Sequence, residues 1–357
     1  MGLYVLNTAK THVLPMYVAA SAAQFLSPFW LAKGLQLATR SFFVLFMSSL
    51  GVHALRNRVA PLVPPVTRQQ QQQQQDASDA QPQDASAAAE GAPYAVVTGA
   101  SSGIGRAIAA DLARQGWNVV LIGRNRDALR EHARALKREA RAAGRRLQAH
   151  VVEADLAVDA TPDAVYEQVR ALCAEGTQPE ILVNSAGVAW DCEFADLPEE
   201  RLQDMLMINC VATTRLTQLF ARDMKERKAS GRIMIVSSIT AAMPNPKVAV
   251  YAATKSYLTS LAQALSVELE PHGVGVTCLM PGATYTAFQA RSNAAGARVF
   301  KHPRLCMTPE EVARQGVEGM LRGDSLIVTG WMNKLMVNVF EPLLPRKIGM
   351  LLVQAFW

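Results

Sequence analysis

The chain has 357 residues, half of them apolar, enough for one large core or two smaller ones, and a formal charge of +6. That charge belongs to the start: residues 1–75 hold Lys10, Lys33, Arg40, Arg56, Arg58 and Arg68 and no acid, leaving thirty bases and thirty acids in the other 282. A neutral globular part removes the basic pI as an argument for nucleic-acid binding, and five singly spaced cysteines with no closely paired histidines offer no pattern for a disulfide framework or a metal site.

In chain order, residues 1–60 read as a membrane-anchor or targeting segment. Residues 11–32 carry no charged side chain other than His12 and are long enough to cross about 30 Å of hydrocarbon, although Pro15 and Pro28 interrupt them. An organellar presequence is the alternative, because the segment is also acid-poor. Residues 61–92 are a low-complexity linker rich in Gln, Pro and Ala, too polar to offset the entropy of ordering.

From 93 to 330 apolar runs alternate with helical patterns. Strands are predicted at 94–98, 118–122, 147–153, 181–184, 232–237 and 274–279, with 325–329 a candidate seventh. Helices are predicted after the first strand to 115, then at 126–143, 163–173, across 198–228 and at 249–270. Such alternation predicts an α/β fold: a Rossmann-like, doubly wound parallel sheet in three layers. Residues 331–357 form an apolar C-terminal extension, placed to cover a pocket, pack a dimer or touch a membrane.

Three groups of residues carry chemistry. After the first strand comes Thr98-Gly-Ala-Ser-Ser-Gly-Ile-Gly105, a glycine-rich turn opening a helix, where backbone N–H groups can face a diphosphate. The second strand ends in Leu121-Ile-Gly-Arg124-Asn-Arg126. An acid there would favour NAD; an arginine accommodates a 2′-phosphate and favours NADP. Tyr251 and Lys255 stand four apart on one helix face, and a cation beside a phenol lowers its pKa toward working pH. Ser238 lies thirteen residues upstream, with Ser237 its rival. Together these suggest hydride transfer at a C–O carbon.

The pattern resembles the short-chain dehydrogenase/reductase family over roughly residues 94–290. The resemblance rests on the glycine loop, Asp155-Leu156, Asn184-Ser-Ala-Gly187, Asn209, Ser237-Ser238, Tyr251-x-x-x-Lys255 and Pro281-Gly282-x-x-x-Thr286. Asn-Ser-Ala-Gly departs from the usual Asn-Asn-Ala-Gly. The resemblance implies Tyr251 as acid/base, Lys255 as its partner and ribose ligand, Ser238 on the substrate carbonyl, and Asn209 holding a water in a proton relay. It implies cofactor contacts from Gly99, Ser101, Gly103, Ile104, Gly105, Arg124, Asp155, Leu156, Asn184, Tyr251, Lys255, Pro281, Gly282, Thr284 and Thr286. No metal ligands are implied.

The expected protein is an NADP(H)-dependent oxidoreductase that reduces a ketone of a hydrophobic substrate, such as a 3-oxoacyl thioester, steroid or sphingoid ketone. Pro244-Asn-Pro246 is similar to a segment of very-long-chain 3-oxoacyl reductases, and 285–357 to bacterial reductases of undefined substrate. The alternatives are a non-catalytic NADP-binding scaffold of the same fold and a soluble organellar reductase. Expected partners are membrane lipid through the N-terminus and a second copy in a homodimer, with no nucleic acid. Arg56, Arg58 and Arg68 follow the apolar segment and only Lys10 precedes it, so the positive-inside rule places the catalytic part on the cytosolic side of the endoplasmic reticulum.

Overall fold

The computed structural model describes residues 92–173, 177–228, 230–243, 245–294, 298–301, 306–340, 343 and 347–350. The expected anchor (1–60) and all but the last residue of the expected linker (61–92) lie outside them. Among the described residues no helix is long and apolar enough to cross a membrane.

Seven strands form one sheet: β1 (Tyr94–Thr98), β2 (Asn118–Gly123), β3 (Ala149–Glu153), β4 (Pro179–Asn184), β5 (Gly231–Val236), β6 (Val274–Met280) and β7 (Leu326–Val328). Their order is β3-β2-β1-β4-β5-β6-β7, and every neighbouring pair is parallel. The order reverses between β1 and β4. In such sheets the crevice beyond the strand ends at that switch point is the ligand site.

The helices are α1 (Gly103–Arg114), α2 (Arg126–Ala142), α3 (Thr161–Leu172), α4 (Glu199–Asp204), α5 (Thr213–Glu226), α6 (Ala249–Glu268), α7 (Phe288–Arg291), α8 (Pro309–Arg322) and α9 (Trp331–Leu335). Strand side chains alternate between two cores, as a period of two requires. Val97, Val119, Leu121, Val183 and Met234 pack with Ile108 and Leu112 of α1, Leu129 and Leu136 of α2, and Val317 of α8. Val96, Val120, Leu182, Ile233 and Ile235 pack on the other face with Val165 of α3, Leu216 and Phe220 of α5, and Leu258 of α6. Burying each such side chain contributes about 1.5–3 kcal/mol. Because both faces are covered, the strands read as unbroken apolar runs.

Local signals place the helices. Asn125 caps α2, its Oδ1 accepting from Ala128 N at 3.0 Å. Thr308 and Glu311 form a capping box on α8, with Pro309 at its first position. The predicted helix across 198–228 differs in kind. It is α4, then a π-helical stretch at Met205–Ala212, then α5. Asn209 lies fully buried within that stretch, whose wider winding departs from the 3.6-residue period by which a helix is read.

Candidate active site

The C-terminal ends of the strands open into a cavity of about 630 Å³, and all but one of the expected cofactor residues line it. The glycine loop forms one wall. Gly99 has φ +68°, and a Cβ there would lie 2.9 Å from Ala186 N. A Cβ on Gly105 would lie 2.6 Å from Gly99 O, so only glycine lets α1 approach its own loop. The buried Thr98 hydroxyl accepts from Ser185 N at 3.1 Å and Ala186 N at 3.0 Å, tying β1 to the turn after β4. The loop is also held from below: His132 Nδ1 lies 3.2 Å from Ala100 O. Burial, helped by the nearby Arg106 charge, brings His132 down to about 4, so it is neutral at pH 7 and its ring N–H donates to that carbonyl.

Arg124 lines the cavity at the end of β2. Arg126 does not; it pairs with Glu153 at 3.6 Å on the surface. Asp155 lines the cavity, and its Oδ1 also accepts from Ala157 N at 3.1 Å. Thr286 packs against the glycine loop, where a Cβ on Gly103 would meet its Cγ2 at 3.0 Å.

Asn184 departs from expectation. It is buried and does not line the cavity; its Nδ2 donates to Thr217 Oγ1 at 2.9 Å. The strand's alternation turns the side chain toward α5, leaving Ser185, Ala186 and Gly187 to line the cavity. Asn209 differs too. Its amide donates to Val188 O at 2.9 Å and Thr254 Oγ1 at 3.0 Å, and accepts from Val188 N at 2.9 Å. Both amide protons are therefore committed, and Oδ1 keeps one lone pair at most for a water. A Cβ on Gly187 would lie 3.3 Å from Lys255 Nζ and 3.4 Å from Asn209 Oδ1, which puts both beside the same glycine.

The two serines part company because adjacent residues of an extended chain face opposite ways. Ser237 Oγ donates to Lys255 O at 2.8 Å and lies 2.7 Å from Thr259 Oγ1, so it braces α6. The Ser238 hydroxyl stands beside Tyr251. It also accepts from Thr240 N at 3.2 Å. Lys255, one turn after Tyr251, donates from Nζ to Val236 O at 2.8 Å and sits 5.6 Å from the Tyr251 ring centroid. Burial brings Lys255 down to about 8. It pushes Tyr251 up to about 12, with Ser238 pulling the other way. This reverses the lowered phenol expected from the spacing: the ammonium lies against the ring's π-face and bonds a carbonyl, so desolvation outweighs its attraction. The result is a neutral phenol at pH 7, the form that donates a proton.

Beyond Ser238 the cavity turns apolar. Phe288, whose ring centroid is 5.9 Å from that of Tyr251, is joined by Met243, Phe300, Met332, Met336 and Phe340. α9 and the π-helical Met336–Phe340 that continues it thus wall the same cavity. Their segments, 243–248, 287–307 and the apolar tail, are the ones the sequence offers as pocket loops and cover, but no motif singles out these residues, or Arg291 with them. Their positions in the loops after β5 and β6 or in the apolar tail are the only hint of a role.

The family model described as short chain dehydrogenase matches residues 93–296. The chain belongs to the short chain dehydrogenase family. This short-chain dehydrogenase is 34% identical over 196 residues to a very-long-chain 3-oxoacyl-CoA reductase of Pyrenophora tritici-repentis, covering 54% of this chain and 55% of that one. It thus spans about half the length of the reductases it matches. An uncharacterized oxidoreductase of Myxococcus xanthus is 35% identical over 237 residues, 66% of this chain and 87% of that protein. Among solved structures, a short-chain dehydrogenase from Sphingobium yanoikuyae in complex with NADPH has a TM-score of 0.59 and 30% identity, over 66% of this chain and 87% of that one.

Proposed function

We propose that the protein is an NADP(H)-dependent reductase of a hydrophobic ketone, with a lipid-like 3-oxoacyl thioester as the leading substrate class. One observation carries the reading: Ser238 and Tyr251 stand where a glycine-lined groove meets an apolar pocket, so a carbonyl between them faces both. The groove suits a dinucleotide: glycines open α1 onto it, and a Cβ on Gly99 or Gly105 would run into the backbone of its own wall. Arg124 at its far end supports NADP over NAD, as does the NADPH bound to the Sphingobium relative.

NADPH, when bound, supplies the hydride. The Ser238 hydroxyl orients the substrate oxygen and stabilises negative charge developing on it. The Tyr251 phenol delivers the proton. Lys255, protonated below about pH 8, favours the phenolate that this leaves. The Val236 carbonyl holds the Lys255 ammonium in place, and the aromatic and methionine side chains keep water from the carbon that reacts.

The apolar first sixty residues, together with Trp331 at 73% and Phe340 at 42% exposure near the pocket, support a membrane-associated enzyme that meets its substrate at a lipid surface. The resemblance to very-long-chain reductases supports the endoplasmic reticulum as its site. A ketone screen over 3-oxoacyl thioesters, steroids and sphingoid ketones with NADPH and NADH tests the reading. Turnover is expected with NADPH and a long-chain ketone. NADPH binding without turnover of any ketone would make the protein a non-catalytic binder.

A further inference from the structure

Arg291 lies far from the glycine loop in sequence and beside it in space. Its Nη2 donates to Ser102 Oγ at 2.9 Å, and its Nε to Ala287 O at 3.3 Å. A guanidinium has five N–H donors in a planar fork, and these two bonds use only two. Both Arg291 and Ser102 line the cavity. Ser102 is the residue before α1, but its side chain does not cap that helix, and the first turn of α1 carries no acid. The N–H groups of that turn and the spare guanidinium donors therefore share one spot, and both demand negative charge.

The segment that delivers Arg291 is built firmly. Gln289 donates to Thr284 O at 2.7 Å and accepts from Thr286 N at 3.1 Å. Thr286 packs on Gly103. Three residues before Arg291, on the same turn of α7, Phe288 lies against Tyr251.

We propose that Arg291 is a diphosphate-binding residue: α7 carries its guanidinium across the groove to meet the bridging phosphates of the dinucleotide together with the N–H groups of α1. This rests on the cofactor reading above and adds a ligand that the glycine motif does not contain. It also gives the loop after β6 a second task. Because α7 carries Phe288 as well, filling the phosphate site steadies the wall of the substrate pocket beside Tyr251.

The test compares full-length wild type, Arg291→Gln and Arg291→Lys by direct binding of NADPH and NADH, with inorganic pyrophosphate as competitor. Arg291 is exposed, so the substitutions leave both cores intact. A charge-assisted bond to phosphate corresponds to about 10- to 150-fold in affinity. Arg291→Gln is expected to weaken NADPH and NADH alike by that factor, with their ratio unchanged, and to weaken competition by pyrophosphate. Arg291→Lys is expected to recover part of the loss. Unchanged affinity for both cofactors, or intact pyrophosphate competition, overturns the proposal. So does a loss confined to NADPH, which would make Arg291 a 2′-phosphate reader. If the wild type binds neither dinucleotide, the cofactor reading itself fails, a result distinct from any of these.

Discussion

The groove end of the cavity is made mostly of main chain, and the pocket end mostly of side chains. At the groove, Gly99 and Gly105 matter because they lack a Cβ, and Thr98 and His132 matter because they hold backbone groups still. At the pocket, Met243, Phe288, Met336 and Phe340 come from three separate stretches and act through shape and apolarity. The difference teaches where tolerance lies. A main-chain cradle fails when any atom is added to it, whereas a side-chain pocket changes its preference by degrees. Ser238, Tyr251 and Lys255 stand at the join and belong to neither rule.

Substitutions at the join should have the largest effect. Tyr251→Phe keeps the ring and removes the proton, so turnover should fall about 10²- to 10⁴-fold with NADPH affinity little changed. Steady-state kinetics beside direct NADPH binding checks this, and near-normal turnover would break the assignment. The pH profile sharpens it. Lys255 titrates near 8 in the free protein and is charged below that. Carbonyl reduction should therefore decline as pH rises through about 8, and a rate flat to pH 10 would show that the ammonium is not needed.

The neighbouring serines come next. Ser238→Ala removes a donor to the developing oxyanion and should lower kcat by about 10²- to 10³-fold. Ser237→Ala instead strips a brace from Lys255 O and Thr259. It should cost about 1–3 kcal/mol in denaturant unfolding and leave most turnover in place. The opposite ranking would exchange the two roles.

At the groove, Gly105→Ala forces a methyl to within 2.6 Å of a backbone oxygen. Overpacking of this kind costs about 1–3 kcal/mol. Thermal melts should show that loss, and NADPH affinity should drop with it. An unperturbed Kd would mean that the loop can shift freely, and the contrast with the pocket would weaken. The smallest change is expected at the pocket. Met336→Ala should raise KM for a bulky apolar ketone a few-fold and leave NADPH affinity alone, because a half-exposed side chain contributes only part of the ~0.8 kcal/mol per buried CH₂. A loss of NADPH affinity instead would show that the two ends are not separable.

The amino-acid sequence by itself determined the sheet, its parallel sense, the glycine loop and the order Ser238, Tyr251, Lys255. These depend on local patterns: apolar runs of strand length, a turn that needs glycine, and a helix that puts residues four apart on one face. Tertiary structure alone decided which residues face which way and which distant segments meet. It turned Asn184 into the core and spent the Asn209 amide on Val188 and Thr254. It assigned Ser237 to bracing and brought Arg291 to Ser102. It also folded Met332, Met336 and Phe340 onto a cavity whose first wall lies more than two hundred residues earlier. The physical reason is that burial and hydrogen-bond partnership are properties of a packed neighbourhood. The same cause reversed the expected shift of Tyr251: spacing places a cation near the phenol, but only packing decides how much water both have lost.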